Sequence, residues 1–325
     1  MKKKKIILSY DYELFFGERS GTIKKTLIEP TNHLLEGMRM HKLVGNFFVD
    51  YLMLKKLKES DESGYELVVN QIHDILRQGH RIELHIHSHW VDAEYNGDGT
   101  WSFDNFSHYS LTSFSESEVE RMFEEGKNEL TRIARQVDPN YEICAFRAGG
   151  WAVQPFGYLM NAFRKSNIRI DSSCAYGIRY KSDYSNYDFM DDRIKNKQLY
   201  HFDNDVLVPR SSGEFIEVPI TSFRRHKFYL VIDRLYRILC PNKTKKIADG
   251  THHRPDLPKQ DRQKYAMFAM SWRSPLSIVI NILTNRNCLM TMIDHPKDYS
   301  HSYQSCFKWI SRFAESTTYY NLLKK

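Results

Sequence analysis

Short apolar runs recur along the chain, and helical patterns separate several of them. The runs are "KKIILSY" (4–10), "KLVGNFFVD" (42–50), "RIELHIHS" (81–88), "YEICAFRAG" (141–149), "NIRIDSS" (167–173), "EFIEVPITS" (214–222) and "CLMTMID" (288–294). Their β-branched and aromatic content, bounded by polar clusters, predicts seven strands. The clearest helical pattern is "SESEVERMFEEGKNELTRIARQV" (115–137), where Val119, Met122, Phe123, Leu130 and Ile133 form one stripe. Ser115 or Ser117 can cap its start, and acids crowd its first turns. "GYELVVNQIHDILRQGH" (64–80) reads as a helix closed by Gly79, with His73 on its packed side. "QPFGYLMNAFRKSN" (154–167) and "QSCFKWISRFAES" (304–316) also carry helical spacing. Strands alternating with helices predict a mostly parallel α/β sheet, open or closed as a barrel. Residues 178–285, rich first in Tyr, Asp and Asn and then in basic residues, read as an elaboration on a single domain spanning 1–325.

In α/β folds chemistry gathers at the C-terminal ends of strands. The reactive residue types sit there. The first run ends in Asp11 and Glu13, the third in the histidines of "HIHSH", the fourth in Arg147, the fifth in Asp171, and the last in Asp294 and His295. Positions two apart on a strand face one side, ~6.6 Å along the chain. Asp11 and Glu13 can therefore address one site while Tyr12 packs behind. Two histidines and a carboxylate bind Zn²⁺ or a similar divalent ion and leave a position for water. A second carboxylate can then take a proton and a separate histidine can give one, which is a set suited to hydrolysing an amide or ester.

Three of the 14 histidines fall within five residues, at 85, 87 and 89. If the strand runs straight through, His85 and His89 lie ~13 Å apart, and His85 with His87 is the chelating pair. If the chain curls near His85, residues four apart become neighbours, and His85 pairs with His89. Spacing alone leaves both open.

Composition changes this picture in two places. The chain has 41% hydrophobic and 14% aromatic residues, ample for a packed interior. Five widely spaced cysteines without a CxxC argue against a disulfide framework and for a reducing compartment. No window approaches the ~20 apolar residues of a membrane span. The lysine-rich start lacks a signal-type apolar core, so a cytoplasmic location is expected. The charge is uneven. Ser222 to Lys264 holds 12 Lys/Arg and 4 Asp/Glu, an excess of +8 against +7 for the whole chain. Such a patch reads first as a solvated insertion; the alternative is a surface that meets phosphate on an anionic membrane or a lipid-linked glycan. Within it, "FYLVIDRLYRILC" (228–240) reads first as a core helix with an exposed basic edge, and as an interfacial amphipathic helix in the alternative. There is no nucleic-acid motif.

The motifs "LSYDYELFFG", "GHRIELHIHSHW", "FRAGGW", "IDSS" and "MIDHP", with "GNFFV" at 45–49, stand in the order of those of polysaccharide deacetylases. The chain resembles this family of metal-dependent carbohydrate esterases, which includes chitin-oligosaccharide and peptidoglycan deacetylases, over roughly residues 4–175 and 285–300. The resemblance implies a distorted (β/α) barrel of about seven strands with one metal. It makes Asp11 the general base, oriented by Arg147, and His295 the general acid, with Asp171 beside it. It makes His85 and His89 metal ligands, which favours the curled geometry, suits Ser88 in a turn and leaves His87 aside. Tyr12 occupies the family's usual second aspartate position, so Glu13 becomes the third ligand. Ile293 lines the acetyl pocket, and Trp151 and Trp90 are candidate sugar platforms. The implied cofactor is Zn²⁺, with Co²⁺ or Ni²⁺ as alternatives. The implied reaction is removal of an N-acetyl group from a sugar in a polysaccharide or glycan precursor. The alternatives are a deformylase or other C–N amidohydrolase acting on a lipid-phosphate-linked sugar, and an inactive glycan-binding module.

Overall fold

The computed structural model describes residues 3–252 and 264–324. His253, half of the adjacent pair at 252–253, lies outside them. The main sheet has nine strands: β1 (Lys4–Tyr12), β2 (Gly45–Asp50), β3 (Arg81–Ile86), β4 (Ala145–Ala148), β5 (Ile170–Asp171), β6 (Tyr200–Phe202), β7 (Phe215–Glu217), β8 (Leu289–Asp294) and β9 (Ala314–Ser316). Their order is β6-β7-β5-β4-β3-β2-β1-β8, with β9 beside the start of β1. Only the β6–β7 pair is antiparallel. Each of the seven predicted runs holds one strand. The two further strands, β6 and β9, lie in polar or helix-patterned sequence.

The sheet curls until its ends meet. Past β7 the chain reaches Thr221, whose N–H donates to the Thr291 carbonyl at 2.9 Å. The Thr291 N–H donates in turn to Thr221 Oγ1 at 2.9 Å. The Ile293 N–H donates to the Phe268 carbonyl at 2.9 Å. These bonds tie the β8 edge to segments that follow β7, giving the distorted barrel that the family resemblance implies.

Strand register sorts side chains into an inner and an outer set, because successive residues alternate. Ser9 pairs with Asn46 and Ile293, Asp11 with Phe48, Asp50 with His85, and His85 with Arg147. The inner set is small: Ile7, Phe48, Ala145, Ile170, Ile216 and Val218 pack with Tyr319. The outer set, including Leu8, Tyr10, Phe47, Leu84 and Phe146, belongs to the large core beneath the helices.

Those helices are α1 (Glu29–Met40), α2 (Tyr51–Ser60), α3 (Glu62–Arg77), α4 (Glu116–Ala134), α5 (Met160–Ser166), α6 (Lys227–Leu239), α7 (Pro275–Thr284) and α8 (Ser302–Phe313). The start of α4 is a capping box: Ser115 Oγ accepts from Glu118 N–H, and the Glu118 carboxylate accepts from Ser115 N–H at 2.9 Å. Gly79 has φ +82°, the left-handed turn expected after α3. The pattern at 154–167 yields a helix only from Met160, because Pro155 and a short 3₁₀ turn over Phe156–Tyr158 precede it. The stretch 178–285 is more than an elaboration, since β6 and β7 are barrel wall. Among the described residues, no helix is long and apolar enough to cross a membrane.

Candidate active site

The inner rows of four strands run out at one end of the barrel, and polar residues replace the apolar ones there. β1 continues from Ile7 and Ser9 to Asp11 and then Glu13. β3 continues through Glu83 and His85 to His87. β4 ends in Arg147, and β8 leads through Thr291 and Ile293 to His295.

Arg147 is fully buried, and such a charge costs several kcal/mol unless every donor is used. Its Nη1 donates to Asp11 Oδ1 at 2.6 Å and its Nε to the Ser172 carbonyl at 2.8 Å. Its Nη2 reaches Ser9 Oγ at 2.8 Å, Tyr319 Oη at 3.1 Å and Ser172 Oγ at 3.2 Å. The guanidinium also lies over Phe48, 4.2 Å from the ring centroid. Asp11 is thereby fixed in one orientation.

Glu13 is the hub of the second group. His85 Nε2 lies 3.0 Å and His87 Nε2 2.7 Å from its Oε2. Lys297 Nζ donates to its Oε1 at 2.7 Å and to the Leu14 carbonyl at 2.9 Å. Burial opposes ionisation of Glu13. Burial lowers the pKa of His87 itself, so it is the Lys297 charge and the hydrogen bonds from both imidazoles that outweigh burial and hold the Glu13 carboxyl well below its usual value. Burial likewise opposes a charge on His85, yet Asp11, Glu13 and Asp50 push its pKa up to about 9. His85 Nδ1–H donates to the Arg147 carbonyl at 2.7 Å, which turns Nε2 toward Glu13.

One carboxylate oxygen and two imidazole nitrogens, from Glu13, His85 and His87, lie within 4.8 Å of one another. This N₂O set fits a zinc-type divalent ion. The pairing differs from the expectation of His85 with His89. His87 keeps extended backbone (φ −102°, ψ 98°), and the helical turn starts only at Ser88. His85 and His87 therefore share the inner face. His89 is turned into an aromatic nest, with ring centroids 4.4 Å from Phe16 and 5.1 Å from Phe103. Neither of its ring nitrogens has a hydrogen-bond partner among the described residues.

His295 bridges the two groups. Its Nε2 lies 3.5 Å from Glu13 Oε1 and 3.8 Å from Asp11 Oδ2. Its Nδ1 lies 3.4 Å from Asp298 Oδ2. Burial opposes a charge on His295. The bond with Asp298 and the fields of Glu13 and Asp11 outweigh burial and Lys297, so its pKa is raised. Burial also opposes ionisation of Asp298, but His252 and His295 hold it well below the usual range. His252 Nε2 sits 2.7 Å from Asp298 Oδ1, and Lys246 bonds the same oxygen.

Asp171 does not stand beside His295. It pairs in register with Phe146 and Glu217, so it faces outward from β5. It accepts from Ser173 Oγ at 2.8 Å and forms a second buried cluster with Cys174 and Glu217. Trp90 offers no sugar platform: it is fully buried against Trp101 and Phe103. Ile293 is buried on the inner row directly before the His295 turn. Trp151 is half-buried and lines a cavity of about 310 Å³ with Phe16, Tyr109, Tyr180 and Tyr187. Phe16 also covers His87, with ring centroids 4.4 Å apart, so cavity and cluster meet at that ring. The sequence reading missed Lys297, Asp298 and Asp50, whose Oδ1 accepts from the His87 N–H at 3.2 Å. "DHPKD" carried a signal for the first two, since they follow His295 on one short turn.

No family model and no curated protein matches the chain. Its backbone does match solved structures. A 4-alpha-glucanotransferase from Thermococcus litoralis matches with TM-score 0.55 and 11% identity, over 100% of this chain and 41% of that one. A "putative polysaccharide deacetylase" from Mycobacterium smegmatis matches with TM-score 0.51 and 11% identity, over 100% of this chain and 90% of that one. This chain thus spans less than half of the glucanotransferase. At such identity the likeness is one of fold.

Proposed function

We propose that the chain is a metal-dependent hydrolase that removes an N-acetyl group from a sugar in a polysaccharide or glycan precursor. The observation that carries this reading is the meeting of three units at one barrel end: Asp11 with Arg147, Glu13 with His85 and His87, and His295 with Asp298. The fold shared with a structure described as a polysaccharide deacetylase supports it.

A divalent ion held by Glu13, His85 and His87, most simply Zn²⁺, supplies Lewis acidity toward the amide carbonyl and lowers the pKa of water. Asp11, locked by Arg147, takes the proton from the attacking water. His295 presents Nε2 to the reacting centre because Asp298 holds Nδ1, and it donates a proton to the departing amine. Acetate and the free amino sugar result. Ile293 is the apolar wall for the acetyl methyl, and Trp151, Tyr180 and Tyr187 offer ring faces to the sugar.

Glycosyl transfer, the activity named for the glucanotransferase, needs a carboxyl group kept protonated as an acid. Glu13 is instead held ionised, Asp11 Oδ1 accepts from Arg147, and Asp50, pushed up to about 7 by burial, is fully buried behind the His87 backbone. A formyl group on a lipid-phosphate-linked sugar could be cleaved by the same set, and the size of the pocket at Ile293 separates the two. An inert glycan-binding module would have no use for a buried arginine that fixes a carboxylate.

The test is acetate and formate release from a panel of N-acylated oligosaccharides, before and after chelation. Release should stop on chelation and return with Zn²⁺, Co²⁺ or Ni²⁺. Release that resists the chelator, or none from metal-loaded protein on any substrate, would sink the reading.

A further inference from the structure

Helix α6 turns its apolar side away from the protein. Its packed side is Tyr229 and Asp233. Asp233 is spent on the start of α7, accepting from Ser274 N–H at 2.8 Å, Ser277 Oγ at 2.6 Å and Arg273 Nη1 at 2.9 Å. Facing out are Phe228, Val231, Leu235, Ile238 and Leu239, spaced to share one helix face and each between 52% and 77% exposed. The adjoining α7 adds exposed Leu276 and Leu283, and Trp272 lies just before it. Scattered exposed aliphatics are ordinary, but a continuous face of this kind marks an interaction surface.

The rim of the face is cationic. Lys227 and Arg234, seven residues apart, flank it, and Arg224, Lys243 and Lys245 lie at its ends. None of these five has an ion-pair partner among the described residues. The two acids of this segment among the described residues are occupied. Asp233 is buried, and Asp249 accepts from the Thr22 N–H, Thr22 Oγ1 and Thr26 Oγ1. An apolar stripe edged by unpaired cations complements anionic headgroups above acyl chains. A second copy would bring the same positive rim and be repelled.

A cavity of about 560 Å³ runs beside α6. It is lined by Trp151, Tyr180 and Tyr187 on one side and by Leu230, Asp233 and Arg237 on the other. The aromatic cleft next to the reactive cluster thus extends to the flank of this helix.

We propose that α6 docks the protein peripherally on an anionic bilayer. Its apolar face enters the headgroup boundary, with Lys227 and Arg234 among the phosphates. Resting on the hydrolase reading above, this places the cleft against the bilayer, so the substrate class is a glycan carried at the membrane surface. The docking itself stands without that reading.

The experiment is co-sedimentation of the full chain with phosphatidylcholine vesicles, with and without phosphatidylglycerol, at about 0.1 M and about 0.5 M salt. Wild type should pellet with the anionic vesicles about tenfold more strongly than with neutral ones, and less so at high salt. Leu235→Ser with Ile238→Ser should weaken this about tenfold, and Lys227→Gln with Arg234→Gln should remove most of the salt dependence. These side chains are exposed, so unchanged melting curves will establish that the variants fold. No pelleting with anionic vesicles, or equal pelleting of all variants, overturns the proposal. So does a wild-type dimer in the ultracentrifuge that Leu235→Ser with Ile238→Ser dissociates while vesicles go unbound. Acetate release from soluble oligosaccharides should be the same in all variants. Its failure in wild type would count against the hydrolase reading and leave docking intact.

Discussion

Arg147 Nη1 stands 2.6 Å from Asp11 Oδ1, and neither residue is more than 3% exposed. The pair neutralises a charge inside the barrel, and on the proposed reading it also aims the carboxylate that takes the proton. Arg147→Ala should destabilise the fold by about 3–5 kcal/mol, because Asp11 is left buried and unpaired. Arg147→Lys keeps the charge but not the fork to Ser9, Ser172 and Tyr319. It should retain much of the stability and lose about a hundredfold in kcat with little change in KM. Urea unfolding and steady-state kinetics on the same preparations separate these effects. An active Arg147→Lys enzyme would contradict the aiming role.

The histidines give the sharpest test. His85→Ala and His87→Ala should each lose stoichiometric Zn²⁺ on dialysis, while His89→Ala keeps it. Metal analysis by mass spectrometry reads this directly. Retention by the His87 variant with loss in the His89 variant would restore the curled geometry.

His295 Nδ1 lies 3.4 Å from Asp298 Oδ2, and on the proposed reading Asp298 orients the proton donor. His295→Ala should lower kcat by about 10²–10⁴ with metal retained. Asp298→Asn leaves the ring in place but takes away its orienting charge. A smaller loss is expected there, about tenfold to a hundredfold, with the His295 titration, and so the alkaline limb of the rate profile, moved to lower pH. Two-dimensional NMR of the His295 ring follows that movement. An unmoved titration would dissociate Asp298 from His295.

The outer carboxyl pair predicts a pH effect on stability. Burial first, and then Asp171, raises the Glu217 pKa well above its usual value. Among the described residues its Oε2 has no donor, so a proton on Glu217 is what lets Asp171 and Glu217 lie together. The folded state then keeps a proton that the unfolded chain releases above about pH 4.3. Stability must fall as pH rises from there toward the folded pKa, by at most about 1.4 kcal/mol per unit for one proton. Glu217→Gln keeps a donor without the titration and should flatten the slope. Urea midpoints at pH 5 and pH 8 decide it, and parallel slopes for the two proteins would count against the pair.

Much of this was legible in sequence because it rests on a two-residue period. Seven apolar runs gave seven strands, and that period put Asp11 and Glu13 on one side with Tyr12 behind. Tyr12 duly packs outward and donates to Gln71 at 2.7 Å. What stayed hidden depends on where a strand stops and how neighbours are phased. β3 holds its extended path one residue past Ile86, and that decides between His87 and His89. β5 is two residues long, and its phase against β4 turns Asp171 outward. Nothing within either run encodes these. Lys297 reads as a surface lysine until the barrel closes over it.

That lysine has a further consequence. A site of one carboxylate and two imidazoles in a dry barrel would normally make shape depend on cargo, as in small zinc domains that collapse without their ion. Lys297 already supplies Glu13 with a positive partner 2.7 Å away. The buried carboxylate thus has a counter-charge from the polypeptide itself, so folding of the barrel does not have to wait for an ion at Glu13.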